Sequence, residues 1–243
     1  DRHSRCRRSG GVVNQRFARL GLGHCARCFD VTVRSLSGPD VGQLSMADQS
    51  DAHLIETKLK SQALFSGSFL HAFLDTVALP DGTQATREYV VHPGAVMIVP
   101  LLELPDQPLQ LVMERQFRYP VKQVMLEFPA GKLDPHESTL QCAQRELFEE
   151  TGYSAKQWAR AGVMHPVISY STEFIEIWFA KDLSLGERQL DPGEFLEVIT
   201  KTPDALQEAC LNGEVTDGKT LTGMFWLQNF LSGRHDLNWV NAA

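Results

Sequence analysis

The sequence is short of several features, and each shortage removes a class of function. No stretch approaches eighteen consecutive apolar residues, so no membrane-spanning helix and no membrane partner is expected. Excess positive charge is missing: the formal net charge is −7, which argues against a broad nucleic-acid footprint. Cysteines are few and odd in number, five in all (Cys6, Cys25, Cys28, Cys142 and Cys210), with three in the first 28 residues. That is no disulfide framework, and it fits a reducing, cytoplasmic compartment. Cys25-Ala-Arg-Cys28 lacks the second pair that a zinc site needs and the βαβ setting of a redox motif. There is no internal repeat and no low-complexity tract.

What is present suits one large domain or one domain with appendages: 243 residues, of which 43% are hydrophobic. Charge is unevenly placed. Residues 1–45 hold eight of the 23 basic residues and three of the 30 acidic ones, leaving a strongly acidic remainder. This leading stretch has no sustained period and no apolar core of a secretory signal. It is expected to be an unstructured extension or upstream read-through, with Met46 as the initiator; an Arg-rich targeting peptide is the alternative.

From residue 54 the pattern turns strand-like, with a turn at Pro80-Asp81-Gly82 and further strands over Thr86–His92, Ala95–Leu102, Leu109–Arg118 and Met125–Pro129. Ser138 followed by Gln141 reads as a capping box, and Gly152 as the C′ glycine of the helix between them. Leu140, Ala143, Leu147 and Phe148 are its expected inner face. Strands are expected at Ala161–Pro166 and Phe174–Ala180, and helices at Pro203–Leu211 and Asp217–Leu231. Strands outnumber helices and the helices lie late or singly, which predicts an α+β fold with mixed sheets.

The richest stretch is residues 131–153, GKLDPHESTLQCAQRELFEETGY. On a helix, residues three and four apart share a face, so Glu146, Glu149 and Glu150 project carboxylates to one side. Such crowding is best tolerated around a cation. An oxygen-only donor set suits Mg²⁺, with Mn²⁺ as its substitute, and Mg²⁺ is commonly held by carboxylates together with substrate phosphates. The competing reading is a solvated acidic helix with Arg145 as an ordinary ion-pair partner.

The stretch resembles the Nudix box, G-x5-E-x7-R-E-U-x-E-E-x-G-U. Every fixed letter is present, and Tyr153 alone departs, standing where a bulky aliphatic is usual. Seven fixed residues at average usage match by chance at about 10⁻⁸ per start position, which leaves little room for the competing reading. The resemblance implies a Nudix-type α/β/α sandwich carrying a loop–helix–loop, preceded by a small N-terminal strand region. Residues 46–93 would be that region, 94–235 the Nudix domain and 236–243 a tail.

Three further stretches resemble the ADP-ribose pyrophosphatase branch: Arg87-Glu88-Tyr89-Val90-Val91-His92-Pro93-Gly94-Ala95, Glu114-Arg115-Gln116-Phe117-Arg118-Tyr119, and Glu127-Phe128-Pro129-Ala130-Gly131-Lys132-Leu133-Asp134. By resemblance, Glu146, Glu150 and the Ala130 carbonyl would bind metal, Glu149 would serve a further ion, and Glu137 would orient Arg145 and support the shell. Arg118 would meet the pyrophosphate beside Gly131. Arg87 and Glu88 would lie near the base, across a homodimer interface built from exchanged N-terminal strands. Each has a plainer alternative: Arg87-Glu88 as a surface pair, Arg118 as an ion pair, Arg115 as a solvated strand residue, His92 as a turn residue.

A general base must come from another loop. Glu173, in Ser171-Thr172-Glu173, and Glu194, in Asp191-Pro192-Gly193-Glu194, both fit the branch's pattern, and Glu194 is preferred. One departure bears on substrate: the branch often has proline at the position of Ile168, within S-P-G-x-S-x-E. The implied activity is Mg²⁺-dependent hydrolysis of ADP-ribose to AMP and ribose 5-phosphate. The alternatives are another nucleoside diphosphate sugar such as GDP-mannose, or a non-catalytic nucleotide-sensing domain.

Overall fold

The structure, a computed structural model, describes residues 49–242. The expectations for residues 1–45, Met46 and the C-x-x-C fall outside that range. After a short 3₁₀ turn, β1 (Thr57–Ser66), β2 (His71–Ala78) and β3 (Gln84–Val91) form an antiparallel three-stranded sheet in that order. Every residue of β1 is exposed. The sheet meets the rest of the molecule where β3 reaches residues 170–172: Val90 N–H donates to the Tyr170 carbonyl at 2.9 Å, and Thr172 N–H to the Val90 carbonyl at 3.0 Å.

The larger sheet is built from β4 (Ala95–Leu102), β5 (Gln110–Arg118), β6 (Gln123–Glu127), β7 (Ala130–Lys132), β8 (Tyr153–Met164), β9 (Ile175–Leu185), β10 (Leu196–Lys201) and β11 (Trp239–Asn241). Its main path runs β10-β5-β4-β9-β8-β11; β6 joins β5, and β7 joins β4. The β4–β9 pair is parallel and the others are antiparallel, so the sheet is mixed.

Strand β4 is buried along its whole length because both faces are covered. A strand sends alternate side chains to opposite faces. Val96 and Ile98 pack with Cys142, Ala143 and Leu147 of α1 (Thr139–Thr151) and with Trp158 and Trp178. Met97, Val99 and Leu101 face the other way. They pack with Phe128, Ile177, Phe179, Leu206 of α2 (Pro203–Leu211), and Met224 and Leu227 of α3 (Gly218–Leu231). One helix on one face and two on the other make the α/β/α sandwich that the resemblance implies. None of the three helices is long and apolar enough to cross a membrane.

The first half of β4 pairs with β7, at Ala95–Met97, and only its end pairs with β5, at Leu101 and Leu102. The sheet therefore parts between β4 and β5, and the gap faces the second half of α1. Ser138 and Gln141 close the predicted capping box, and Gly152 ends the helix at φ 78°, a conformation that glycine adopts without steric cost.

Three differences from the sequence expectation stand out. Strand β8 starts at Tyr153 rather than Ala161, because its antiparallel ladder with β9 runs from Tyr153–Leu185 to Met164–Ile175. Strand β10 arises where only a loop and its acidic segment were read, and pairs with β5 from Leu196–Gln116 to Lys201–Leu111. Residues 239–241, within the stretch read as a tail, pair with β8, and Trp239 packs against the core.

Candidate active site

The gap beside β4 is a cleft of about 580 Å³. It is lined by Ala130 and Gly131 of β7, Glu146, Glu149 and Glu150 of α1, Arg118 of β5, the loop carboxylates Glu173, Asp191 and Glu194, and the start of α3 at Asp217–Lys219. The three helical carboxylates thus share the face their spacing predicts. A Cβ on Gly131 would lie 1.8 Å from the Glu146 carboxyl carbon, so a larger residue here would displace that carboxylate.

Arg145 is the hub of the helix. Its Nε and Nη2 donate to the two oxygens of Glu137 at 2.9 and 2.8 Å, and Nη1 donates to Glu146 Oε1 at 2.8 Å and Glu149 Oε2 at 3.0 Å. Nη2 also reaches the Lys132 carbonyl at 3.2 Å. These bonds, those to Glu137 above all, raise the guanidinium pKa, and the same bonds hold the Glu137 carboxyl below its ordinary range. Glu137 therefore fixes Arg145, and Arg145 fixes the helix against β7. Beside it, burial pushes the Cys142 thiol up, and Sγ lies 3.3 Å from the Lys132 carbonyl, so this cysteine is a core residue.

Glu150 is buried, and its Oε2 accepts the Ala130 N–H at 3.1 Å. Burial, then the nearby charges of Glu114, Glu146 and Glu194, raise its pKa well above the usual carboxylate value. Burial likewise raises Glu146, with Arg145 opposing.

Glu114 was not singled out from the sequence. It is fully buried on β5, directly opposite Glu127 of β6, and its pKa is pushed up to about 8, by burial first and Glu127 second. Both of its oxygens lack a hydrogen-bond partner among the described residues, although Glu150 lies alongside. Two carboxylates are both acceptors, so a bond between them needs a proton on one, which is what a pKa of about 8 supplies.

Arg118 lines the cleft while bound through Nε and Nη2 to the Glu127 carboxylate at 2.7 and 2.8 Å. Its ion-pair reading therefore holds, and the pair stands on the cleft wall. Lys219 completes the cluster, bonding Glu127 and, at 3.0 Å, Asp217. Nothing near Lys219 in sequence marks it, since its partner Glu127 is 92 positions away.

Of the two loop carboxylates, Glu194 acts electrostatically on Glu146 and Glu150, whereas Glu173 sits 3.9 Å from His92 Nδ1. That ring nitrogen accepts the Gly94 N–H at 3.1 Å, so His92 is tied into the turn, as its plainer reading has it. Arg87 and Glu88 lie on β3 outside the cleft. Arg87 is bound by both Glu56 oxygens, and Arg115 pairs with exposed Glu197.

Donor chemistry fits a hard divalent cation. Glu150 is buried in the cleft wall, the oxygens of buried Glu114 beside it have no partner among the described residues, and all donors facing the cleft from α1 are carboxylates. Among the described residues no three ligating groups converge on one point, because Arg145 draws Glu146 and Glu149.

Carboxylates, a guanidinium and an ammonium around one cleft define a class of protein that handles polyanionic phosphates. The sequence model of the NUDIX domain matches residues 91–221, and the chain belongs to the Nudix hydrolase family. It is 35% identical to an ADP-ribose pyrophosphatase of Bacillus subtilis over 177 residues, 72% of this chain and 94% of that one. It is 34% identical to a methanol dehydrogenase activator of Bacillus methanolicus over 177 residues, 71% and 92% of the two chains. Among solved structures, an ADP compounds hydrolase shares the fold at a TM-score of 0.66 and 23% identity, covering 74% of this chain and 97% of that one.

Proposed function

We propose that the protein hydrolyses the pyrophosphate bond of ADP-ribose, or of a related nucleoside diphosphate sugar, to AMP and the sugar phosphate, with Mg²⁺ as cofactor. The observation that carries this reading is the meeting of Glu146, Glu149, Glu150, Arg118 and Glu194 in one cleft. Likeness to an ADP-ribose pyrophosphatase over nearly its whole length supports the substrate class.

In this reading Glu146, Glu150 and the Ala130 carbonyl hold the cation, and Glu149 serves a further one. A divalent cation held there would supply the charge neutralisation that eases attack of water on phosphorus. Arg118, held rigid by Glu127, turns its remaining Nη1 to the phosphates. Glu194 takes the proton of the attacking water. Arg145 and Glu137 keep the helix carboxylates in place. Arg87 and Glu88 would meet the base from a partner subunit. The fully exposed β1, with Leu59, Leu64 and Phe65 bare, supports a homodimer through this sheet. Cys142 and Cys210 are free thiols, in keeping with a cytoplasmic setting.

The test is a hydrolysis panel of ADP-ribose, GDP-mannose, NADH and a diadenosine polyphosphate with Mg²⁺. ADP-ribose is expected to turn over fastest; failure of all four would sink the reading, and preference for GDP-mannose would move the substrate. Replacing each loop carboxylate separately tests the base. Glu194→Gln should lower kcat by about 10²–10⁴-fold, and Glu173→Gln by much less. Equal, small losses would remove both.

A further inference from the structure

Strand β5 carries three polar side chains at alternate positions, Glu114, Gln116 and Arg118, while Arg115 and Phe117 between them are exposed. The period of two puts the three on one face. Each meets a different part of the site: Glu114 lies beside Glu150, Arg118 binds Glu127, and Gln116 reaches Glu194. The Gln116 contact is not accounted for by anything above.

Gln116 Nε2 donates to Glu194 Oε1 at 3.2 Å. Among the described residues this is the one hydrogen bond to the Glu194 carboxylate. Only the NH₂ side of the amide can donate to it, so the amide's orientation is set. Its own Oε1 is buried and has no partner, so nothing else competes for the direction of the group. The backbone of Gln116 is held on both edges, opposite Leu196 of β10 and Met125 of β6.

Glu194, by contrast, lies in a loop. The loop's start is tied to the end of α1 by Gly186 N–H to the Gly152 carbonyl at 2.8 Å and Gln189 N–H to the Glu149 carbonyl at 3.1 Å. Its second half turns through Gly193 at φ 90°, closed by Glu194 N–H to the Asp191 carbonyl at 3.0 Å. Those bonds fix the backbone and leave the side chain free among its rotamers, so holding it in one costs conformational entropy.

We propose that Gln116 is a positioning residue for Glu194: a strand-borne amide that holds a loop-borne carboxylate in the cleft, at a set distance along β5 from Arg118. This rests on Glu194 being the general base. It makes the spacing between Gln116 and Arg118 the ruler that sets the proton acceptor against the phosphate contact.

A double-mutant cycle on kcat and KM for ADP-ribose hydrolysis tests it. Gln116→Met, close in shape and unable to donate, is expected to lower kcat about tenfold while KM stays within about twofold. In the Glu194→Gln background the same change should alter kcat by less than about twofold, since the group it positions no longer takes a proton. An equal tenfold loss in both backgrounds, or a loss carried by KM, overturns the proposal. Near wild-type kcat in Glu194→Gln alone defeats the base reading, and this inference falls with it. Should Gln116→Met fail to fold, the cycle is run with Gln116→Asn, whose amide stops one methylene short of Glu194, and is read the same way.

Discussion

Glu150→Gln is expected to cut hydrolysis on the order of 10³-fold and, at pH 8 without metal, to raise the melting temperature. The two effects come from the same carboxylate. Glu150 is buried beside Glu114, with Glu146 and Glu194 also acting on it. Ionised, it would bind metal in the proposed function, and it repels its neighbours. The amide keeps an acceptor for the Ala130 N–H and adds a donor next to the unpartnered oxygens of Glu114. Removing a carboxyl whose ionisation burial opposes, and satisfying an orphaned group, should stabilise the metal-free fold by about 1–3 kcal/mol. Thermal melts in EDTA and a Mg²⁺-supported rate measurement check both halves. Wild-type turnover in the variant, or a lower melting temperature, would count against this account of the site.

The second large effect is on pH. The Glu114 carboxyl has a folded pKa near 8 against an ordinary value of 4.5, raised chiefly by burial. Over that interval the folded state holds a proton that the unfolded chain has released. The resulting stability is complete below pH 4.5 and is lost as pH rises toward 8, at about 1 kcal/mol per unit or somewhat more. Burial raises Glu150 in the same direction, so its contribution carries the same sign. His92 works the other way. Burial lowers its pKa, so its share of stability is present above pH 6.5 and is lost on acidification. Glu137 and Asp217, both lowered, matter only in more acid solution. Denaturant melts of wild type and Glu114→Gln in EDTA, at pH 5 and pH 8, separate these contributions. Wild type should lose stability across the range, Glu114→Gln should lose much less, and Mg²⁺ should restore wild type most at pH 8. Parallel curves for the two proteins would refute the assignment.

Legibility in the sequence followed the range of the interactions. The box helix was readable because its signals are local: Ser138 and Gln141 cap it, Gly152 ends it, and three carboxylates fall on one face within five residues. Its burial was only partly readable. Cys142 is in the core, where Leu140 and Phe148 are only partly covered. Strand β10 and the first half of β8 were missed because their partners lie far along the chain and their own alternation is weak. Glu114, Gln116 and Lys219 escaped for a related reason. A glutamate inside an apolar strand is unusual and could have been flagged, but what it faces depends on β6 and α1 arriving beside it. Lys219 depends on α3 reaching Glu127.

Helix α1 ends at Thr151, so Glu149 and Glu150 occupy its last turn, and no basic residue shares that turn. Backbone dipoles leave roughly half a negative charge at that end, where acidic side chains are the unfavourable choice. The peptide carbonyls therefore add to the carboxylates instead of offsetting them. In the proposed function, preference for a cation at this place would come from the direction of the main chain as well as from its side chains. Reversing the helix with the same three glutamates in place would set roughly half a positive charge against the proposed cation.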